Sequence, residues 1–302
     1  MKFFRGGWIS GFCLLMLGFP VLAAQPAAAL AQTQTHHHSL WKIKGKNNVV
    51  YLLGSVHVLK EENYPLPAIM ESAYTNSGIA VFETDISKID DPAEAMKLMS
   101  KAQLPEGKTL QTELSSEVYR TFTNHAGTIG LPMMLLDQFT PAMAAEAVEG
   151  MELMKLGFDP AFGLDKHFYR LAKKDGKQII PLESIEAQLD LLNGLTKQEG
   201  EWFMKTTLKE IETLKKDFGE VIQAWEVGDA PRLAKLLNEA KGESPALFKR
   251  LLTDRNESWM PKLIELANGK TNAVIIVGAG HLVGKDGLVE RLQAKGFKVS
   301  QE

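Results

Sequence analysis

A chain of 302 residues, 45% hydrophobic and 24% charged, is long enough to bury a sizeable core, in one large domain or two small ones. Its formal charge of −3 gives it no electrostatic attraction to nucleic acid or anionic lipid. Its one cysteine, Cys13, excludes a disulfide within the chain.

The stretch MKFFRGGWISGFCLLMLGFPVLAA places Lys2 and Arg5 before an apolar run that ends in small residues. That is the layout of a secretory signal peptide over 1–31, with Ala29 and Ala31 at the cleavage site. Gly18 and Pro20 interrupt the run and no charge cluster follows it, which disfavours a membrane anchor. Cleavage after Ala31 would leave a mature chain with no cysteine, no stable membrane span and a formal charge of −5, in the periplasm or secreted. Residues 32–39, QTQTHHHS, read as a polar leader whose His36–His38 run resembles a metal-binding tract.

Next, SLWKIKG, KNN and VVYLLGS read as a hairpin with a Gly/Asn turn. Residues 65–77 read as a short helix begun by Pro65 or Pro67. GIAVFETD, 78–85, is an apolar strand terminating in Glu83 and Asp85. The long middle is helical in pattern. SSEVYRTFTNHAG opens on a Ser-capped turn, and the helix after it has Thr140 as cap, Pro141 at its first position and Gly157 as stop. GLDKHFYRLAKKDG is an amphipathic helix, and KQIIPLES a short strand ending at Glu183. From Ser184 to about Asn268 nearly everything reads as helix, with breaks near Gly228 and at KGESP. A strand at 272–277, a helix at 285–295 and the strand GFKVS close the chain.

The order strand, Gly-x-x-His, helix, Gly, strand occurs at 48–84 and again at 272–300, and such self-similarity shapes the fold reading. The spacing predicts an α/β (α+β) fold in which the two ends pair in one central sheet. A single domain over 40–302 is expected, with a core at about 40–104 and 253–302 and a largely helical insertion at about 105–252 that forms a cap.

Gly54 and Gly278 are expected to turn the chain sharply as it leaves a strand. His57 and His281 would then face one another at the carboxyl ends of the strands, where open α/β sheets bind ligands. Glu83, Asp85 and Glu183 end apolar strands in the same way. Two histidines and one or two carboxylates suit zinc, manganese, cobalt or iron. Singly, each residue has a bland reading as a surface histidine, a helix cap or a salt-bridge partner; what points to a shared site is their coincidence at four strand ends. His125 reads as a surface residue and His167 as structural. HExxH, CxxC, P-loop and GxSxG motifs are missing. The Gly-x-Gly in VIIVGAGHLVG has too little chain after it for a dinucleotide-binding fold.

Taken together, LLGSVHVLKEENYPLP, VFETDI, GLDKHFYRLAKKDGKQIIPLESIEAQLDLL, DRNESWMPKL and VIIVGAGHLVGKDGLVERLQAKGFKV resemble successive signatures of the TraB/GumN family. That family is related to the Tiki metalloproteases and to erythromycin-esterase-like hydrolases. The resemblance runs from about Leu40 to Val299. It implies a split α/β core with the two motifs flanking a cleft, and metal-dependent hydrolysis of peptides or esters. By position it marks Gly54, His57, Glu83, Gly278 and His281, and also Glu183, Gln188, Arg255 and Asn256.

The resulting expectation is a hydrolase of peptide, amide or ester bonds. His57, His281 and Glu83 would hold a divalent metal, Glu83 or Glu183 would take a proton from water, and Arg255 would steady the oxyanion. The alternatives are a metal-independent His/Glu hydrolase and a non-catalytic protein that sequesters peptides. The partner expected is a peptide or small-molecule substrate; the oligomeric state is left open.

Overall fold

The run AVIIVG is buried at all six positions, as a strand covered on both faces by helices has to be. In the computed structural model, which describes residues 37–241 and 245–302, this run is the centre of a mixed sheet. The strands are β1 (Leu40–Lys44), β2 (Val49–Ser55), β3 (Ile79–Phe82), β4 (Gln178–Pro181), β5 (Ala273–Gly278) and β6 (Val299–Gln301), ordered β4-β3-β5-β2-β1-β6. The pairs β4–β3, β3–β5 and β5–β2 are parallel. The hairpin partner β1 is antiparallel to β2 and to β6.

The expected pairing of the two ends therefore occurs, with Leu52 beside Ile275 and Ser55 beside Gly278. The two repeats diverge beyond their first strands. After the first motif the chain returns as β3 beside β5, whereas after the second it returns as β6 at the far edge, beside β1. The expected signal peptide with its Ala29–Ala31 site, Cys13 and His36 lie outside the described residues, as does part of the KGESP break. Ser39, assigned to the leader by sequence, is fully buried and donates from Oγ to the Trp225 carbonyl at 2.9 Å. His38 joins the sheet edge, its N–H donating to the Glu302 carbonyl at 2.7 Å. Among the described residues no helix is long and apolar enough to cross a membrane.

The helical middle forms as its caps predict. Thr140 accepts from the Met143 N–H, Pro141 opens the helix Pro141–Lys155, and Gly157 follows it at φ 88°. The helix Ser116–Thr128 forms without a side-chain cap at Ser115. The middle contributes to two cores. Leu153, Phe168, Phe218, Trp225 and Leu233 pack into the core around the sheet, while Phe122, Val148, Phe203 and Leu247 build a second core.

The helix Leu164–Lys174 is seated against the loop that follows β2. Leu164 N–H donates to the Val56 carbonyl at 3.0 Å, and a Cβ added to Gly163 would lie 2.2 Å from the His57 carbonyl oxygen. Gly163 has an ordinary φ of −54°, so what demands glycine is the close approach of two backbones. Gly163→Ala is expected to cost about 1–3 kcal/mol through overpacking, read as a lowered urea midpoint with an unchanged m-value.

Candidate functional site

Four parallel strands deliver their carboxyl ends to one edge of the sheet, the usual position of ligand sites in such folds. Gly54 serves there by allowing close contact, and neither motif glycine by a special backbone angle. Gly278 has φ −48°, and neither Gly54 nor Gly278 is among the described glycines with positive φ. A Cβ on Gly54 would lie 3.1 Å from both Cα and Cβ of Ala279, so the two motifs touch backbone to backbone. The Trp225 indole N–H closes this contact by donating to the Gly54 carbonyl at 2.7 Å.

Arg255 is the hub. It lies in the first turn of the helix Asp254–Ala267, directly after a π-helical turn at Lys249–Thr253, a distortion common at functional sites. The residue is 4% exposed. Its Nε and Nη2 donate to Glu183 Oε1 at 2.9 and 2.6 Å, and Nη2 also donates to Glu83 Oε2 at 2.5 Å. Nη1 donates to the Leu251 carbonyl and to His281 Nε2, both at 3.0 Å. Trp259, one turn along the same helix, stacks 4.8 Å from the guanidinium and donates its indole N–H to Glu183 Oε2 at 3.1 Å.

Glu83 accepts the Gly278 N–H on Oε1 at 2.7 Å and the Gln188 side chain on Oε2 at 3.0 Å. Burial alone would raise its pKa, but Arg255, with help from both histidines and the Gly278 N–H, holds it at about 2. His281 is fully buried. Burial and the adjacent Arg255 push its pKa down to about 3, so the imidazole is neutral. Asn256 donates to the His281 and Asp286 carbonyls at 3.1 and 3.0 Å, which leaves its Oδ1 to accept from His281 Nδ1 at 2.7 Å. This fixes the tautomer, with Nε2 as the acceptor facing Arg255.

His57 differs. It lies in an irregular loop with a fifth of its side chain exposed, and its Nδ1 is 3.2 Å from Asp165 Oδ1. That oxygen has no well-aligned hydrogen-bond donor among the described residues, so the contact is foremost an ion pair. Burial would lower the His57 pKa, but Asp165 and then Glu83 outweigh it and raise the value to about 9. His57 borders an open-mouthed pocket between the strand ends and the helices Leu214–Glu226 and Ala230–Lys241.

Glu83, Glu183, Gln188, Arg255, Asn256, Gly278 and His281 thus converge, Gly54 packs beneath them, and His57 sits at the rim. Asp85 belongs to another network, accepting from the Ser87 N–H and hydroxyl at 3.1 and 2.7 Å and from the Tyr169 hydroxyl. His125 pairs with Glu152 at 3.0 Å and His167 with Glu71 at 3.2 Å, the latter packed on Tyr64 and Phe168. Asp165 and Trp259 were not singled out by sequence. Each lies inside a quoted signature, GLDKHF and DRNESW, where an acid in a first helical turn passes for a cap and a tryptophan for core.

Two expected roles meet a geometric obstacle. Arg255 commits all five of its N–H donors to protein acceptors, so it has none for an oxyanion. The set His57, His281 and Glu83 does not fit a metal ion in this arrangement. The lone pair of His281 Nε2 and the Oε2 of Glu83 are directed at the guanidinium, the place a cation would take, and Glu83 Oε1 holds the Gly278 N–H. Among the described residues no three His, Cys, Asp or Glu side chains are grouped to hold a metal ion.

The model of the TraB/PrgY/gumN family matches residues 39–301. "Uncharacterized protein YbaP" of Escherichia coli (strain K12) is 26% identical over 82% of this chain and 89% of its own length. "Metalloprotease TIKI2" of Danio rerio is 24% identical over 86% of this chain, which spans 60% of that relative's length. "Metalloprotease TIKI1" of Homo sapiens is 24% identical over 95% of this chain and 67% of its own length. No solved structure matches the chain.

The buried charges set the pH dependence of stability. Glu83, depressed to about 2, stabilises the fold above its unfolded value of 4.5, and this is lost as pH falls toward 2. His281, depressed to about 3, binds a proton more readily when unfolded, so stability also falls between pH 6.5 and 3. His57, raised to about 9, contributes stability below pH 6.5 that is lost as pH rises through 9. Urea unfolding across pH 3–10 is expected to show a maximum near pH 6.5, and His57→Gln to flatten the alkaline limb.

Proposed function

The chain belongs to the TraB/PrgY/gumN family, and from that premise we propose that it is an exported hydrolase of peptide, amide or ester bonds whose reacting group is His57. The observation that carries this reading is the His57–Asp165 pair at the rim of a pocket on the carboxyl edge of the sheet. Asp165 engages Nδ1 and leaves Nε2 for the reaction. In its neutral form His57 takes a proton from the attacking water through Nε2. The imidazolium so formed is stabilised by Asp165 and returns the proton to the leaving nitrogen or oxygen. Glu83, Arg255, Glu183 and His281 act as a positioning scaffold: they lock the ends of β3, β4 and β5 and hold Gly278 N–H at the pocket floor.

The names of the Tiki relatives favour a second reading, hydrolysis with a divalent metal such as zinc, manganese or cobalt. The expected ligands His57, His281 and Glu83 reach that state only if Arg255 leaves His281 and Glu83.

The test is turnover of a peptide and ester library with and without chelator, plus elemental analysis, on protein carrying His36→Ala, His37→Ala and His38→Ala. Turnover that ignores chelator and rises with pH toward about 9 is expected, with roughly 10²–10⁴-fold loss in His57→Ala. Stoichiometric metal together with loss of turnover in chelator would establish the second reading. Peptide captured without new fragments would replace both with sequestration.

A further inference from the structure

We propose that the pocket beside His57 is a specificity pocket for an uncharged aliphatic or aromatic side chain of the substrate, next to the bond that is broken. This rests on the hydrolase reading and names the substrate class that the reading leaves open.

The wall facing the strand ends is built by Phe218, Val221, Leu233, Leu236 and Leu237, from two consecutive helices. Opposite them lie His57, Ser55 and the backbone at Gly278, and His57 is the one ionisable group among the lining residues. An apolar side chain entering here would gain by leaving water, whereas a charged one would lose water against a lining whose one ionisable group, His57, is already paired with Asp165. An adjoining space shares Leu237 and Gly280 but carries Lys285 and Asp286 and lacks His57. Charge is accommodated there, away from the reacting group.

A second observation marks the floor as a recognition surface. Ser55 is 3% exposed and its Oγ has no hydrogen-bond partner among the described residues. Buried hydroxyls are ordinarily paired. Ser55 stands opposite Gly278 in the β2–β5 register, so a substrate carbonyl seated on the floor is the acceptor it lacks.

The experiment is an NMR titration of the full chain with the N-acetyl amides of leucine, phenylalanine, aspartate and lysine, alongside hydrolysis of the corresponding 4-nitrophenyl esters. Leucine and phenylalanine amides are expected to bind roughly tenfold or more tighter than the charged pair. Leu237→Trp, which fills the space, should erase that preference. Leu236→Lys, at a half-buried position, should shift it toward aspartate. Ser55→Ala should weaken amide binding several-fold without lowering the Tm, because the hydroxyl removed has no partner to lose; a merely structural serine would leave binding unchanged. Equal binding of all four amides, binding of none, or a preference that survives both leucine variants would overturn the proposal. Selective binding without ester or amide cleavage would uphold the pocket and sink the hydrolase reading. Cleavage without selectivity would do the reverse.

Discussion

A guanidinium sealed between two carboxylates and a neutral imidazole is the interaction on which the rest of this molecule depends. Arg255 joins Glu83 after β3, Glu183 after β4 and His281 after β5. Its helix is thereby tied to the carboxyl edge of the sheet. Removing one partner of such a buried set typically costs about 3–5 kcal/mol, because the remaining charge is left without compensation. The same arrangement explains why the two histidines behave oppositely. The imidazole next to the guanidinium is held neutral, and the one beside Asp165 is held charged. A pair of sequence motifs that look alike thus yields one fixed structural ring and one ring able to exchange a proton at a solvent-reachable edge.

Much of the fold is legible in the amino-acid string because local and global signals agree. The continuous apolar run of β5 announces a strand covered on both faces, and the hairpin, the Thr140–Pro141 cap and the Gly157 stop all form. The convergence of Glu83, Glu183 and His281 also follows from strand ends alone, since parallel strands carry their carboxyl ends to one edge, whereas Arg255 comes from a helix. What the string leaves open is who satisfies whom. Two histidines and two acids spell a cation site, but not whether the cation is a metal or an arginine 172 residues from Glu83 in sequence; only the direction of each N–H decides it. Asp165 was hidden for the same reason, since its helix start is ordinary and its partner lies more than a hundred residues earlier. Gly54, too, was read for its freedom of rotation, when it is needed, as Gly163 is, for the thinness of its backbone.

The helical middle divides its labour. One part, including Phe168, Phe218 and Trp225, closes over the sheet and forms a wall of the pocket beside His57, while another makes its own core around Phe122 and Phe203. The chemistry-bearing edge is therefore bounded by strands on one side and by two insertion helices on the other. Change in those helices can alter what enters the pocket without touching the charged cluster beneath it, which is how a scaffold hosts varied substrates.

The pairing of β2 with β5 has a consequence for how the chain acquires its shape. The central strand of the sheet is made more than two hundred residues after its neighbour, so no nascent chain can assemble the sheet while it is still being synthesised. Contacts so distant in sequence slow folding and leave apolar strands without partners in the interval. Until β5 is available, β2 and β3 lack the neighbour they share, and their apolar edges are open to wrong pairing.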